Sequence, residues 1–119
     1  MTTSRQYVFK VMPRATWEAA RCVGEFAGSA DDLRDGYIHL SMREQLPGTL
    51  AKHFHNQDDL VLVQFETLQL SNDLRWEMSR GGDEFPHLYA PLPTAAALAV
   101  HTLTLGADGV PQLPDELTC

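Results

Sequence analysis

Three short stretches of this chain carry polar residues two apart whose types suit chemistry: His39 and Ser41, Arg75 and Glu77, His87 and Tyr89. Each pair lies in a segment that alternates polar with apolar residues. An extended backbone therefore sends the pair to one face, with Tyr37 beside His39, and sends Ile38, Leu40, Leu74, Trp76 and Leu88 to the other. If the three segments are neighbours, two imidazoles, a guanidinium, a carboxylate, a hydroxyl and phenols converge. That set suits a phosphorylated or nucleotide-like ligand, with Arg75 for oxyanions, aromatics for a ring, and Glu77 or a histidine for proton transfer or cation stabilisation. A half-exposed sheet also turns polar residues to water, and Arg75 with Glu77 could be a surface pair of little energetic consequence. Wet faces usually run to Lys, Glu, Thr and Ser, however, so the His and Tyr content favours a shared cleft.

Other chemistries are less well supported by spacing. His39, His87 and Glu77 match the ligand types of hydrolytic zinc sites, but no HExxH or comparable pattern accompanies them, and no metal is expected. Ser41 lacks the G-x-S-x-G elbow of a serine hydrolase. With Glu44 three residues on, it reads instead as the N-cap of a capping box. The loop Ser79-Arg80-Gly81-Gly82-Asp83 is neither a P-loop nor a dinucleotide fingerprint. Its paired glycines predict flexibility, and Arg80 is placed with the ligand-binding candidates because the loop could close over a bound molecule. His53 and His55 fall at a helix end, where imidazoles complement the helix dipole. Cys22 and Cys119 have no CxxC spacing and read as free thiols.

The elements that must position these residues can be read in order. Tyr7 to Met12 predicts a strand stopped by Pro13, followed by a short helix over residues 16–21 capped by Thr16, with Trp17 packing inward. Ser29 to Arg34 predicts a capped turn leading to the tight turn at Asp35-Gly36 and then the strand Tyr37 to Ser41. Pro47 to Phe54 predicts a helix. Leu60 to Phe65 is a near-continuous apolar run, expected to be the central strand buried on both faces. Ser71-Asn72-Asp73 breaks the chain before the Leu74 strand, and Pro86 argues that Phe85 to Tyr89 is an edge or extended segment. Thr94 to Ala99 predicts a helical turn running into a strand from Val100 to Leu105. The expected fold class is α+β: a compact split mixed or antiparallel β-sheet with short helices, in a single domain spanning 1–119, with a core over about 5–106 and an irregular acidic, proline-containing tail over 107–119.

A chain of 119 residues with 44% hydrophobic content can build one core without a staple. Nine Lys and Arg against 16 acids, a formal net charge of −7, leave no basic footprint for duplex nucleic acid. No apolar run approaches the roughly 20 residues of a membrane span and none has the form of a secretory signal, so a cytoplasmic protein without a membrane partner is expected.

Taken in order, Asp35-Gly-Tyr-Ile-His-Leu-Ser41, Leu60-Val-Leu-Val63, Leu74-Arg-Trp-Glu77 and Phe85-Pro-His-Leu-Tyr89 with Pro91-Leu92 resemble the small bacterial domain-of-unknown-function family numbered 952. The resemblance covers the chain from the Tyr7 strand to about Leu105. It implies a fold similar to the ADP-ribosyltransferase superfamily. By that likeness His39 would hold a ribose, Tyr89 would stack on nicotinamide, Glu77 would stabilise the reacting sugar cation, and Arg75 and His87 would hold phosphates as in RNA 2'-phosphotransferases. The cofactor so implied is NAD, and the activity ADP-ribosyl or glycosyl transfer. The Glu-x-Glu or Gln-x-Glu pattern of toxin-type transferases is missing. A non-catalytic ligand-sensing or interaction domain on the same fold is the alternative, with a metal-dependent hydrolase behind it.

Overall fold

The structure is a computed structural model and describes residues 5–70, 72–79 and 81–117. In chain order its regular elements are β1 (Tyr7–Pro13), α1 (Arg14–Val23), β2 (Glu25–Phe26), α2 (Ala30–Asp35), β3 (Ile38–His39), α3 (Leu46–His53), β4 (Leu60–Glu66), β5 (Leu74–Met78), β6 (Glu84–Leu88), β7 (Leu92–Pro93), β8 (Ala99–Thr102), β9 (Thr104–Leu105) and β10 (Pro111–Gln112). It is an α+β protein in which every strand pairing among the described residues is antiparallel, so the mixed alternative is not realised. Two three-stranded sheets, ordered β1-β4-β8 and β3-β6-β5, carry the architecture, and the two-stranded ribbons β2-β7 and β9-β10 trim it.

The first sheet is buried on both faces. Along β1 and β4 the residues alternate between two cores: Val8, Met12, Val61, Val63 and Phe65 enter one, and Phe9, Val11, Leu60 and Leu62 enter the other. That division explains why Leu60 to Phe65 is apolar without alternation, and β4 is the central strand, as its sequence predicts. Leu46 and Leu50 of α3 close the second core. Trp17 and Ala20 of α1, with Ile38, Leu40 and Leu88 from the neighbourhood of the second sheet, fill the first. Trp17 therefore packs inward, as expected.

Several boundaries differ from the sequence reading for local reasons. Helix α1 begins at Arg14 with Pro13 as its N-cap and no side-chain cap, so Thr16 lies inside the helix rather than at its start. The fixed φ of proline, −59° here, suits the entry and substitutes for a capping hydroxyl. Ser41 does not cap a helix with Glu44. Its backbone bridges Phe9 of β1, its hydroxyl meets Thr49 Oγ1 at 3.0 Å, and the Met42 amide donates instead to Gln45 Oε1 at 2.9 Å.

Strand β6 is the centre of its sheet, not an edge, despite Pro86. Pro86 opposes Trp76 on β5, and its carbonyl accepts from the Leu40 amide on the other side. The N–H that proline lacks would point to that same side, so β6 keeps the carbonyl bond to Leu40 and forgoes only the reciprocal one. Thr94–Ala96 is a 3-10 turn as foreseen, but the strand after it divides into β8 and β9 around buried Leu103. The stretch after Gly106 is more ordered than an irregular tail. Pro111 and Gln112 pair with β9, and Val110, Leu113 and Leu117 pack on the second core.

Candidate functional site

The second sheet sets the three polar pairs side by side. In register, His39 of β3 opposes His87 of β6, and His87 opposes Arg75 of β5, so the three form one row across the sheet. Glu77 is two residues along β5 from Arg75, diagonal to His87, and its Oε1 meets His87 Nδ1 at 2.7 Å. The Tyr89 hydroxyl donates to the same oxygen at 2.8 Å. On the opposite face Ile38 and Leu88 are buried, which anchors β3 and β6 and leaves the polar row turned away from the core.

Turn chemistry places Tyr37. Ser29 caps α2 through its side chain, Asp32 returns the bond to the Ser29 amide, and Gly36 ends the helix at φ 87°, where only glycine sits without strain. The next residue, Tyr37, stacks on His87 with ring centroids 4.1 Å apart, and lies 4.7 Å from the His39 ring and 5.2 Å from Tyr89. The His39 and His87 rings meet edge to face at 5.6 Å. The Arg75 guanidinium lies over the outer part of this cluster, 5.4 Å from the Tyr89 ring centre, in cation–π geometry.

Two further residues belong to the site and were missed from the sequence: Lys10 and Asp32. Lys10 sits on β1 between Val8 and Met12 on the core face, and Asp32 is 2% exposed. The Lys10 ammonium lies 2.9 Å from Asp32 Oδ2 and donates to the His39 carbonyl at 2.9 Å. Asp32 Oδ1 accepts from the His39 amide at 3.0 Å and faces His39 Nδ1 at 2.6 Å. The other imidazole nitrogen, Nε2, faces Asp35 Oδ2 at 3.0 Å. A lysine at a core-facing position of an apolar strand, and Ser29-x-x-Asp32 read as a capping box, were the available signals.

The electrostatics follow from these contacts. Burial pushes the Asp32 carboxyl upward, but the Lys10 ammonium, the Ser29 amide and His39 outweigh it and hold the group down at about 2. For Lys10 the balance falls the other way, since burial lowers the ammonium despite Asp32. The carboxylate governs the pair, because donors from Ser29, His39 and Lys10 saturate it whereas the ammonium adds only one carbonyl. Hydrogen bonds from His87 and then Tyr89 lower Glu77, and the bond to Glu77 raises Tyr89. Burial, then the charges of Asp35 and Glu77, raises Tyr37. The cluster is thus rich in fixed carboxylate charge, with Arg75 as the cation at its rim.

Tyr37, His39, Arg75, Glu77, His87 and Tyr89 therefore come together, and Arg80 lies outside the described residues, as do Ser71 and Cys119. Ser41 is drawn away to β1. The glycine loop before β6 is the turn of the β5-β6 hairpin, closed by the Ser79 amide on Asp83 and the Gly82 amide on Ser79. His53 ends α3, while the His55 ring meets the Asp108 carbonyl at 3.2 Å, away from the row. Among the described residues no group of three or more His, Cys, Asp or Glu is arranged to hold a metal ion, and no helix is long and apolar enough to cross a membrane.

A family model described as "Protein of unknown function (DUF952)" matches residues 11–100, a span that contains the central strand β4, the whole second sheet and the polar row. The chain belongs to the DUF952 family. The motif resemblance noted in the sequence is thereby correct at the level of the family. Two solved structures of protein CC0527 from Caulobacter crescentus are similar to this DUF952 chain. The crystal structure is 50% identical, with a TM-score of 0.90 over 95% of this chain and 99% of that one. The solution NMR structure is 51% identical, with a TM-score of 0.84 over 94% and 97%. No curated protein matches.

Proposed function

We propose that the DUF952 site binds NAD or a related phosphate-bearing nucleotide, and that the chemistry it suits is ADP-ribosyl or glycosyl transfer on an ADP-ribosyltransferase-like scaffold. The observation that carries the reading is the row itself: three strands from separate parts of the sequence set His39, His87 and Arg75 abreast, with Tyr37, Glu77 and Tyr89 in contact around them. Tyr37 and Tyr89 offer ring faces to a nicotinamide or base. His39 offers a nitrogen to ribose hydroxyls. Arg75, at the exposed rim, would meet the diphosphate, with Arg80 as a second cation. Glu77, kept ionised by its two donors, would face the positive charge that develops at the sugar carbon as the glycosidic bond breaks.

One observation favours a second reading, a ligand-sensing domain without catalysis. Glu77 already accepts from His87 and Tyr89, and both nitrogens of His39 face carboxylates, so the groups are mutually satisfied. Isothermal titration with NAD, ADP-ribose and nicotinamide separates the readings. Heat with NAD followed by release of nicotinamide supports transfer, heat without turnover supports sensing, and no heat with any of them in folded protein overturns nucleotide binding.

A further inference from the structure

His39 and His87 look alike in sequence, but their carboxylate partners are built differently. Glu77, the partner of His87, is on an exposed strand, and its side chain retains 39% of its exposure. Asp32, the partner of His39, retains 1% and is fixed from every side: the Ser29 amide at 2.9 Å, the His39 amide at 3.0 Å, the Lys10 ammonium at 2.9 Å and the His39 ring at 2.6 Å. Lys10 also grips the His39 carbonyl, so backbone and ring of one residue are held by the same buried pair. A strand residue needs no such apparatus merely to pack.

The geometry points to Asp32 as the positioning residue of His39: it holds the hydrogen on Nδ1 and fixes the ring plane, which leaves Nε2 as the nitrogen offered to a ligand. Which imidazole nitrogen carries hydrogen is set by the bond that the other nitrogen's partner makes, and a buried carboxylate at 2.6 Å demands a donor. Asp35 faces Nε2 at 3.0 Å from the exposed end of α2, but a carboxylate only accepts, so with the hydrogen on Nδ1 alone this contact is no hydrogen bond and gives way to a ligand hydroxyl that donates to Nε2. The use of Nε2 by a ligand rests on the reading of the site as nucleotide-binding. The Asp32-directed tautomer does not.

The test begins on the unsubstituted protein, labelled with nitrogen-15, by long-range proton–nitrogen NMR at alkaline pH. His39 with its hydrogen on Nδ1 supports the inference, and His39 with its hydrogen on Nε2 overturns it, with no variant required to fold. Asp32→Asn is expected to move the hydrogen to Nε2 or leave the two forms mixed, while the surface change Asp35→Asn leaves Nδ1 protonated. The reverse pattern overturns the assignment. In NAD titrations, folded Asp32→Asn is expected to bind on the order of tenfold more weakly, the lower range for outer-sphere partners of an imidazole at metal sites. Equal affinity in a folded variant contradicts positioning. Absence of NAD binding in the unsubstituted protein overturns the proposed function, and the tautomer then still decides the role of Asp32.

Discussion

Replacing Asp32 with asparagine tests the physical core of the site through stability as well as chemistry. The carboxyl moves from an ordinary 3.8 to about 2 on folding. At about 1.4 kcal/mol per unit, that difference is worth about 2 kcal/mol to the folded state. Because the folded value is depressed, the contribution is complete above the unfolded value and is lost as pH falls from about 4 towards 2. Asp32→Asn removes that acid-side dependence. It also strands the buried Lys10 ammonium without its counter-charge. Breaking one side of a buried pair costs about 3–5 kcal/mol, more than the linkage value because the remaining charge must be desolvated alone. At about 4 °C per kcal/mol for a domain of this size, a fall in Tm of more than 10 °C at neutral pH is expected. Urea unfolding followed by circular dichroism across acid pH measures both effects. A variant within about 0.5 kcal/mol of the unsubstituted protein, with the same loss of stability below pH 4, would refute the reasoning.

Other outcomes follow from single contacts. Phe65→Ala, at a wholly buried position on the central strand, should cost about 3–5 kcal/mol in urea unfolding, against a small effect if the core could close over it. Gly36→Ala introduces no clash within 4 Å but forces a side chain to φ 87°, so a loss of about 1–2 kcal/mol is expected from backbone strain alone. Glu77→Ala removes the carboxylate whose hydrogen bond raises Tyr89, so Tyr89 should ionise at lower pH in an ultraviolet difference titration, whereas an unchanged curve would mean that this bond is not made in solution.

Much of the fold was legible because hydrophobic pattern maps directly onto it. The unbroken run Leu60 to Phe65 could only be satisfied by cores on both faces, and the alternating segments around His39, Arg75 and His87 required one buried and one polar side. Caps were less legible, since Ser41 with Glu44 and Thr16 satisfy the local pattern while tertiary contacts decide otherwise: Ser41 is taken by β1, and Pro13 starts α1 by its own ring. Pro86 points towards an edge, but its missing donor removes only one bond on the β3 side, where its carbonyl still accepts from the Leu40 amide. Lys10 and Asp32 are 22 residues apart and adjacent to no alternating pair, so only folding α2 onto β1 reveals that they frame His39.

Nucleotide binding by the polar row is tested most directly by titrating the labelled protein with NAD and following every backbone amide by NMR. Shifts confined to Tyr37, His39, Arg75, Glu77, His87 and Tyr89 and their strand neighbours are predicted. Saturating NAD that leaves those amides unmoved, or moves only residues elsewhere on the surface, would contradict the assignment of this site.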